Sequence, residues 1–262
     1  KKLTGMKQAI QNLIILVFFS LFYVSVNSQT ILGGIGGGGG SFDMNSAKEY
    51  NQTVKSLLAF NPKTTDNFPP WFVYKAEALY SFPRTLAAGL NISATSTGSR
   101  LHLADYSGHY TFDNLQRLVN AGGKVMLGSA PGKKSGICAT LEGGMAMSFM
   151  VVEGVFRLTD YPDEEYEDYQ QNFTALGWYL QPGVTYQFFL TRHLQLAASA
   201  GYYLGFEKGY HLPGEPDQLI RNTRTNDIIK PEWNGMRIGV MLYWDFNWGK
   251  PELQLAQKRI SR

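Results

Sequence analysis

The stretch Trp233 to Trp248, WNGMRIGVMLYWDFNW, constrains the fold more than any other part of the sequence. From Met236 onward its even positions read Met236, Ile238, Val240, Leu242, Trp244, Phe246 and Trp248, and its odd positions read Arg237, Gly239, Met241, Tyr243, Asp245 and Asn247. A period of two is a strand with one apolar and one polar face. The apolar face ends in a crowd of large aromatics, which suits the interface belt of a membrane barrel better than the inside of a soluble sandwich. Such a strand needs partners, so the rest of the chain must supply enough of them to close a barrel.

Alternation of this kind begins at Pro70 and continues to Trp248. The first strand turns Phe72, Tyr74, Ala76, Ala78, Tyr80 and Phe82 one way; the second, Thr85 to Thr95, turns out Leu86, Ala88, Leu90, Ile92 and Ala94. Ser96 to Ser99 reads as a tight turn. The third strand, Arg100 to Phe112, changes phase, and a bulge near Ala104 and Asp105 would put Leu101, Leu103, Tyr106, Tyr110 and Phe112 together on the lipid side. The fourth carries Val119 to Leu127, the fifth Ile137 to Phe149, the sixth Leu176 to Leu190, and the seventh Leu194 to Phe206. With the terminal stretch, the expectation is an all-β fold, an eight-stranded antiparallel up-and-down transmembrane β-barrel over residues 68–248, with a short N-terminal helix. A barrel of that size is filled by side chains. The inward positions carry Lys75, Lys124 and Arg237 against Glu77, Glu142 and Asp245, a balance that an interior charge network requires.

The front of the chain is different. From Met6, a basic Lys7, an apolar run Leu13 to Val26 and small residues before Gln29 make residues 1–28 a signal peptide with an upstream extension. The apolar run is too short to span a bilayer as a helix. Residues 29–67 read as a glycine-rich linker, Ile31 to Ser41, followed by a short amphipathic helix with a capping box at Ser46 to Glu49 and an apolar face of Tyr50, Val54, Leu57 and Leu58. Three placements stand for that helix: plugging the lumen, capping the periplasmic end, or lying loosely on the surface. Residues 249–262 read as a periplasmic tail.

The run Arg237 to Trp244 also matches the polar-x-Gly-x-x-apolar-x-aromatic pattern of the last strand of outer-membrane barrels. Over its barrel portion the chain resembles the small OmpA and OmpX type barrels of Gram-negative bacteria, and the glutamine after the expected cut resembles exported proteins of the Bacteroidetes. The resemblance implies an outer-membrane location and contact with outer-membrane lipid and lipopolysaccharide. It also implies a non-enzymatic role: surface interaction, envelope integrity, or service as a subunit of an outer-membrane assembly with an envelope protein partner. Two other readings stand beside it. A lipid A acylase or deacylase type of barrel would use His109, with Ser107 and Asp105. A soluble lipocalin-like barrel would instead hold a lipophilic ligand against the Leu, Trp and Phe faces.

A net charge of +3 leaves no footprint for nucleic acid. The single cysteine, Cys138, rules out an internal disulfide, and the four histidines show no metal spacing, so neither metal nor cofactor is expected. The acidic loop with Asp163, Glu164, Glu165, Glu167 and Asp168 among tyrosines reads either as a solvated loop or as a binding site for calcium or a basic surface.

Overall fold

A computed structural model describes residues 30–82, 86–106, 108–128, 135–158, 169–191 and 193–246. The expected leader, the tail, Ser107 and the acidic loop 163–168 lie outside these residues. In chain order the elements are β1 (Thr30–Gly40), α1 (Asn45–Leu57), β2 (Lys63–Asn67), β3 (Trp71–Ser81), β4 (Leu86–Asp105), β5 (Gly108–Gly128), β6 (Ser135–Leu158), β7 (Tyr169–Phe189), β8 (Leu194–Glu207) and β9 (Gly235–Phe246). Eight of the strands form a closed antiparallel ring, β1-β3-β4-β5-β6-β7-β8-β9, which shuts where β1 pairs with both β3 and β9; β2 adds to the edge of β4 outside the ring.

The glycine run is therefore a strand and not a linker. Seven of the eleven β1 residues are glycine, each destabilising a strand by roughly 0.5–1 kcal/mol, which is why composition alone reads the segment as flexible. Hydrogen-bonded neighbours on both sides override that preference. Packing also demands glycine here: a Cβ on Gly34 would lie 2.5 Å from the Tyr243 ring, and one on Gly38 would overlap the Ile238 carbonyl oxygen. The large inward side chains of β9 lean across a bare β1.

The strand count of eight is met by a different division of the chain. Ser96–Ser99 is the middle of β4, paired without interruption to Arg117, Gln116, Leu115 and Asn114 of β5, and the real turn lies between Asp105 and Gly108. No bulge is present there, and Leu101 and Phe112 point inward, each 1 % exposed. Seven ring strands thus fall between Trp71 and Phe246, and β1 supplies the eighth.

The outward faces on the other strands are as the alternation implies. Aromatics gather at two levels: Tyr80, Phe82, Tyr186, Phe188, Trp244 and Phe246 near the end where β1 begins and β9 finishes (the near end), and Phe72, Tyr74, Trp178 and Phe206 higher up. Ten residues separate Phe72 from Phe82 and Trp178 from Phe188, which at 3.3 Å per residue and a tilt of ~40° gives an apolar band about 25 Å tall. Side chains such as Leu90 (70 % exposed) and Trp178 (64 %) have no cover within the chain, so this band is built for lipid. The Leu, Trp and Phe faces look outward and the Lys and Glu charges look inward, the reverse of the faces a soluble lipocalin-like barrel needs, and that reading is overturned.

The wall is lopsided. β4, β5, β6 and β7 have 20, 21, 24 and 21 residues, whereas β1, β3, β8 and β9 have 11, 11, 14 and 12. The long strands rise past the band at the far end, and β2 widens this tall wall by pairing with Ser99–His102 of β4. Above the band the outward residues become Arg100, His102, Asp113, Thr111 and Glu153, while Leu101, Phe112, Met150, Val152 and Phe173 turn inward. Against that inner face pack α1 and the connection 208–234, through Tyr50, Val54, Tyr210, Ile220 and Ile229. The helix thus lies at the far mouth, opposite the near end that holds both strand termini. Tyr50 and Val54 pack as expected, but Leu57 is 72 % exposed.

Candidate functional site

The lumen is filled in layers that β6 marks in sequence: Cys138 in a lower apolar layer, Glu142 in a charged one, and Ala146 in an upper apolar layer. The lower layer also holds Leu32, Leu79, Met126, Met241 and Tyr243. The upper one holds Phe42, Met44, Phe68, Leu118, Tyr203 and Trp233, with Trp233 Nε1 donating to Ser148 Oγ at 2.9 Å.

Between them Lys124 Nζ lies 2.8 Å from Glu77 and 3.3 Å from Glu142, and Lys75 Nζ lies 2.7 Å from Glu142 and 3.9 Å from Glu77. Tyr243 OH donates to Glu77, Asn91 Nδ2 donates to Glu142, and Tyr179 OH donates to Asn91 Oδ1. Lys124, Glu77 and Glu142 are only 2 %, 6 % and 5 % exposed. Burial at that depth is tolerable because each charge faces an opposite one and neutral donors fill the remaining lone pairs. Among the described residues the cavity beside this cluster holds about 40 Å³, space for about three waters. The geometry is that of a filled plug.

Of the six inward charges expected to associate, the structure brings four together. Arg237 and Asp245 lie toward opposite ends of β9 and join neither each other nor the cluster. Arg237 donates to the carbonyls of Ser41 and Trp233 and lies over the rings of Phe42 and Tyr203, 4.5 and 5.0 Å from their centroids. Asp245 is fixed by its backbone, whose N–H donates to His193 O at 2.8 Å. Alternation shows which face a residue takes but not its height, which is why the residue pattern groups the two with the rest.

The far mouth is the second built region. α1 starts without a side-chain cap of its own; Glu232, from the long connection, takes that role, accepting from the Ser46 N–H at 2.9 Å and from the Ser46 hydroxyl at 3.3 Å. A carboxylate there complements the helix dipole, so the expected local capping box is replaced by a tertiary one. Thr53 Oγ1 donates to Asn222 Oδ1 at 3.0 Å, and Tyr210 OH donates to Gln116 Oε1 at 2.9 Å. Burial raises the Tyr50, Tyr169 and Tyr210 hydroxyls above their usual range and pushes Tyr110 up to about 12. Nothing in the residue pattern of 208–234 marks it as a folded lid; only its apolar Tyr210, Ile220, Ile229 and Trp233, scattered among polar residues, hint at burial.

Of the three residues considered for catalysis, Ser107 lies outside the described residues, and His109 and Asp105 face opposite sides of the wall. His109 is on the outer face opposite Ala104, within 3.2 Å of Thr111 Oγ1 and with its ring 4.9 Å from that of His102. Asp105 alternates to the other face, where Oδ1 accepts from the Gly108 N–H at 3.2 Å in the hairpin turn. Among the described residues no group of three or more His, Cys, Asp or Glu could hold a metal.

No protein-family model and no curated protein matches this sequence. Among solved structures, the chain is similar in fold to the attachment invasion locus protein Ail of Yersinia pestis in complex with the heparin analogue sucrose octasulfate (12 % identity, 84 % of this chain and 100 % of that one, TM-score 0.33). It is also similar to a major outer membrane protein of Thermus thermophilus (11 %, 82 % and 99 %, TM-score 0.45) and to Neisserial surface protein A (10 %, 83 % and 96 %, TM-score 0.33). At these identities no residue or role carries over. Ring closure, the apolar band and its aromatic rims make the chain a membrane-spanning barrel of the outer-membrane type.

Proposed function

We propose that the chain is a non-conducting, non-enzymatic barrel of the outer membrane that holds a folded platform at the cell surface, where it meets lipopolysaccharide or an envelope protein partner. The single observation behind this reading is the contrast along the axis. The lumen is blocked by a charge cluster between two apolar layers, while the largest folded addition to the barrel is the far-end assembly of α1, β2 and residues 208–234. Near-end connections are short, and the connections of residues 41–70 and 208–234 at the far end are long, although the Asp105–Gly108 turn there is tight. We therefore read the far end as facing outward and the near end as facing the periplasm.

The test pairs two measurements on protein refolded in lipid. Conductance across a planar bilayer should stay at background. Replacing Leu212–Asp227 with a short Gly-Ser link should reduce capture of labelled lipopolysaccharide or of envelope partners while the barrel keeps its heat-dependent gel mobility. Stepwise conductance from the intact chain, or undiminished capture by the shortened one, would remove the reading. The catalytic alternative has its own check: with a labelled lipid A donor, His109→Ala should behave as the parent does.

A further inference from the structure

At the far mouth a crevice of about 220 Å³ lies between α1 and β2. One helix face supplies Lys48, Asn51, Gln52 and Lys55, spaced i, i+3, i+4 and i+7 so that all four look the same way, and β2 supplies Thr64, Asn67 and the carboxylate-bearing Asp66. The β2 ladder skips a residue between Thr64 and Asp66, a bulge that hands Thr65 to the crevice and lets Asp66 pair with Arg100. Leu101 is the one apolar lining residue.

We propose that this crevice binds a sugar unit carrying one anionic group, of the uronate type. Its size suits one hexose ring. Amides and hydroxyls on both walls match ring hydroxyls, which both donate and accept. The anion is assigned to Lys55. The Lys48 ammonium already donates to Asp43 O at 2.7 Å, whereas Lys55 has no partner among the described residues.

A second observation is independent of the lysines. Asn51 is 4 % exposed, and its Nδ2 has no hydrogen-bond partner, although its Oδ1 accepts from Asn114 Nδ2 at 3.0 Å. Reversing both amides leaves the Asn51 oxygen unpartnered instead, so either assignment keeps one buried polar atom of Asn51 beside the crevice. A buried unpaired amide is unfavourable, and a ligand hydroxyl, donor and acceptor at once, satisfies it in either orientation.

The inference does not depend on which way the barrel faces, so it is tested on purified full-length protein in detergent, separately from any capture on cells. Galacturonate, galactose and acetate are titrated by calorimetry. Galacturonate is expected to saturate with a Kd on the order of 1 mM. Galactose and acetate should each be at least tenfold weaker. Lys55→Gln should bring galacturonate down to the level of galactose, whereas Lys63→Gln, on the outer face of β2, should change nothing. An oligogalacturonate that binds more tightly than the monomer assigns the site to a polymeric glycan, and equal affinity assigns it to the free sugar. The proposal is overturned by equal affinity for galactose and galacturonate, by an unchanged Lys55→Gln, by equal losses in both lysine variants, or by no saturation with galacturonate.

Discussion

In its lower half β4 turns Leu90 and Ile92 outward and Asn91 inward; in its upper half it turns Arg100 and His102 outward and Leu101 inward. β5 does the same, with Val119 and Val125 outside below and Phe112 inside above. The backbone runs on without a bulge, so what changes is the solvent. Below, the outside is lipid and the inside is a charge cluster; above, the outside is water and the inside is a packed apolar core. One pair of strands obeys membrane rules for half its length and soluble rules for the rest.

The two halves should fail differently, and most severely in the lower one. Gly38→Ala drives a Cβ into backbone of β9 and should prevent ring closure, whereas Gly39→Ala meets nothing within 4 Å and should leave folding intact. Refolding yield, read as the heat-shifted gel band, separates the pair; equal yields would mean that the β1–β9 seam is not as described. Next, Lys124→Met leaves Glu77 and Glu142 facing each other with Lys75 as their only remaining cation, a loss of about 3–5 kcal/mol. Urea titration in detergent micelles measures it. Replacing all four charged residues by apolar ones of similar volume should restore much of that loss, because the unpaired charge is then gone.

The upper half gives smaller and separable effects. Tyr50, Tyr110, Tyr169 and Tyr210 are all raised by burial, Tyr110 to about 12. Their unfolded counterparts ionise near 10, so the stability they contribute is complete below pH ~10 and is lost as pH climbs through the folded values. Alkaline titration followed by near-ultraviolet circular dichroism should show the far mouth loosening while the heat-shifted band persists. Loss of both signals together would tie the halves into one cooperative unit. The smallest change belongs to Arg100→Ala. Its bidentate pair with Asp113 sits on the water side, with the Arg100 side chain 55 % exposed, so unfolding should move by no more than ~1 kcal/mol.

This division also decides what can be read from the sequence. Alternation is legible wherever the outside is lipid, because a period-two pattern of Leu, Val, Ile and aromatics leaves little freedom; β6, β7, β8 and β9 have the outward faces their residues imply. It misleads at Ser96–Ser99, where a change of phase reads as a turn and then as a bulge. The apolar residues change faces because the surroundings change, and no local signal distinguishes that from a broken strand. β1 is invisible for the opposite reason: its glycines carry no pattern, and their need is set by Tyr243, Met241 and Arg237 from the far end of the chain. Lys75, Glu77, Lys124 and Glu142 are legible as inward charges, but their meeting depends on strand stagger. The crevice between α1 and β2 depends on where the helix docks, which residues 45–57 alone do not determine.

Along β4, lipid gives way to water between Ile92 and His102. In a Cys138→Ser background, single cysteines at Ile92, His102 and His193 would be exposed on intact cells to a membrane-impermeant maleimide. The expected result is strong labelling at His102, none at Ile92 until the membrane is dissolved, and labelling at His193 only after the outer membrane is permeabilised. Labelling at Ile92 on intact cells, or at His193 in place of His102, would contradict it.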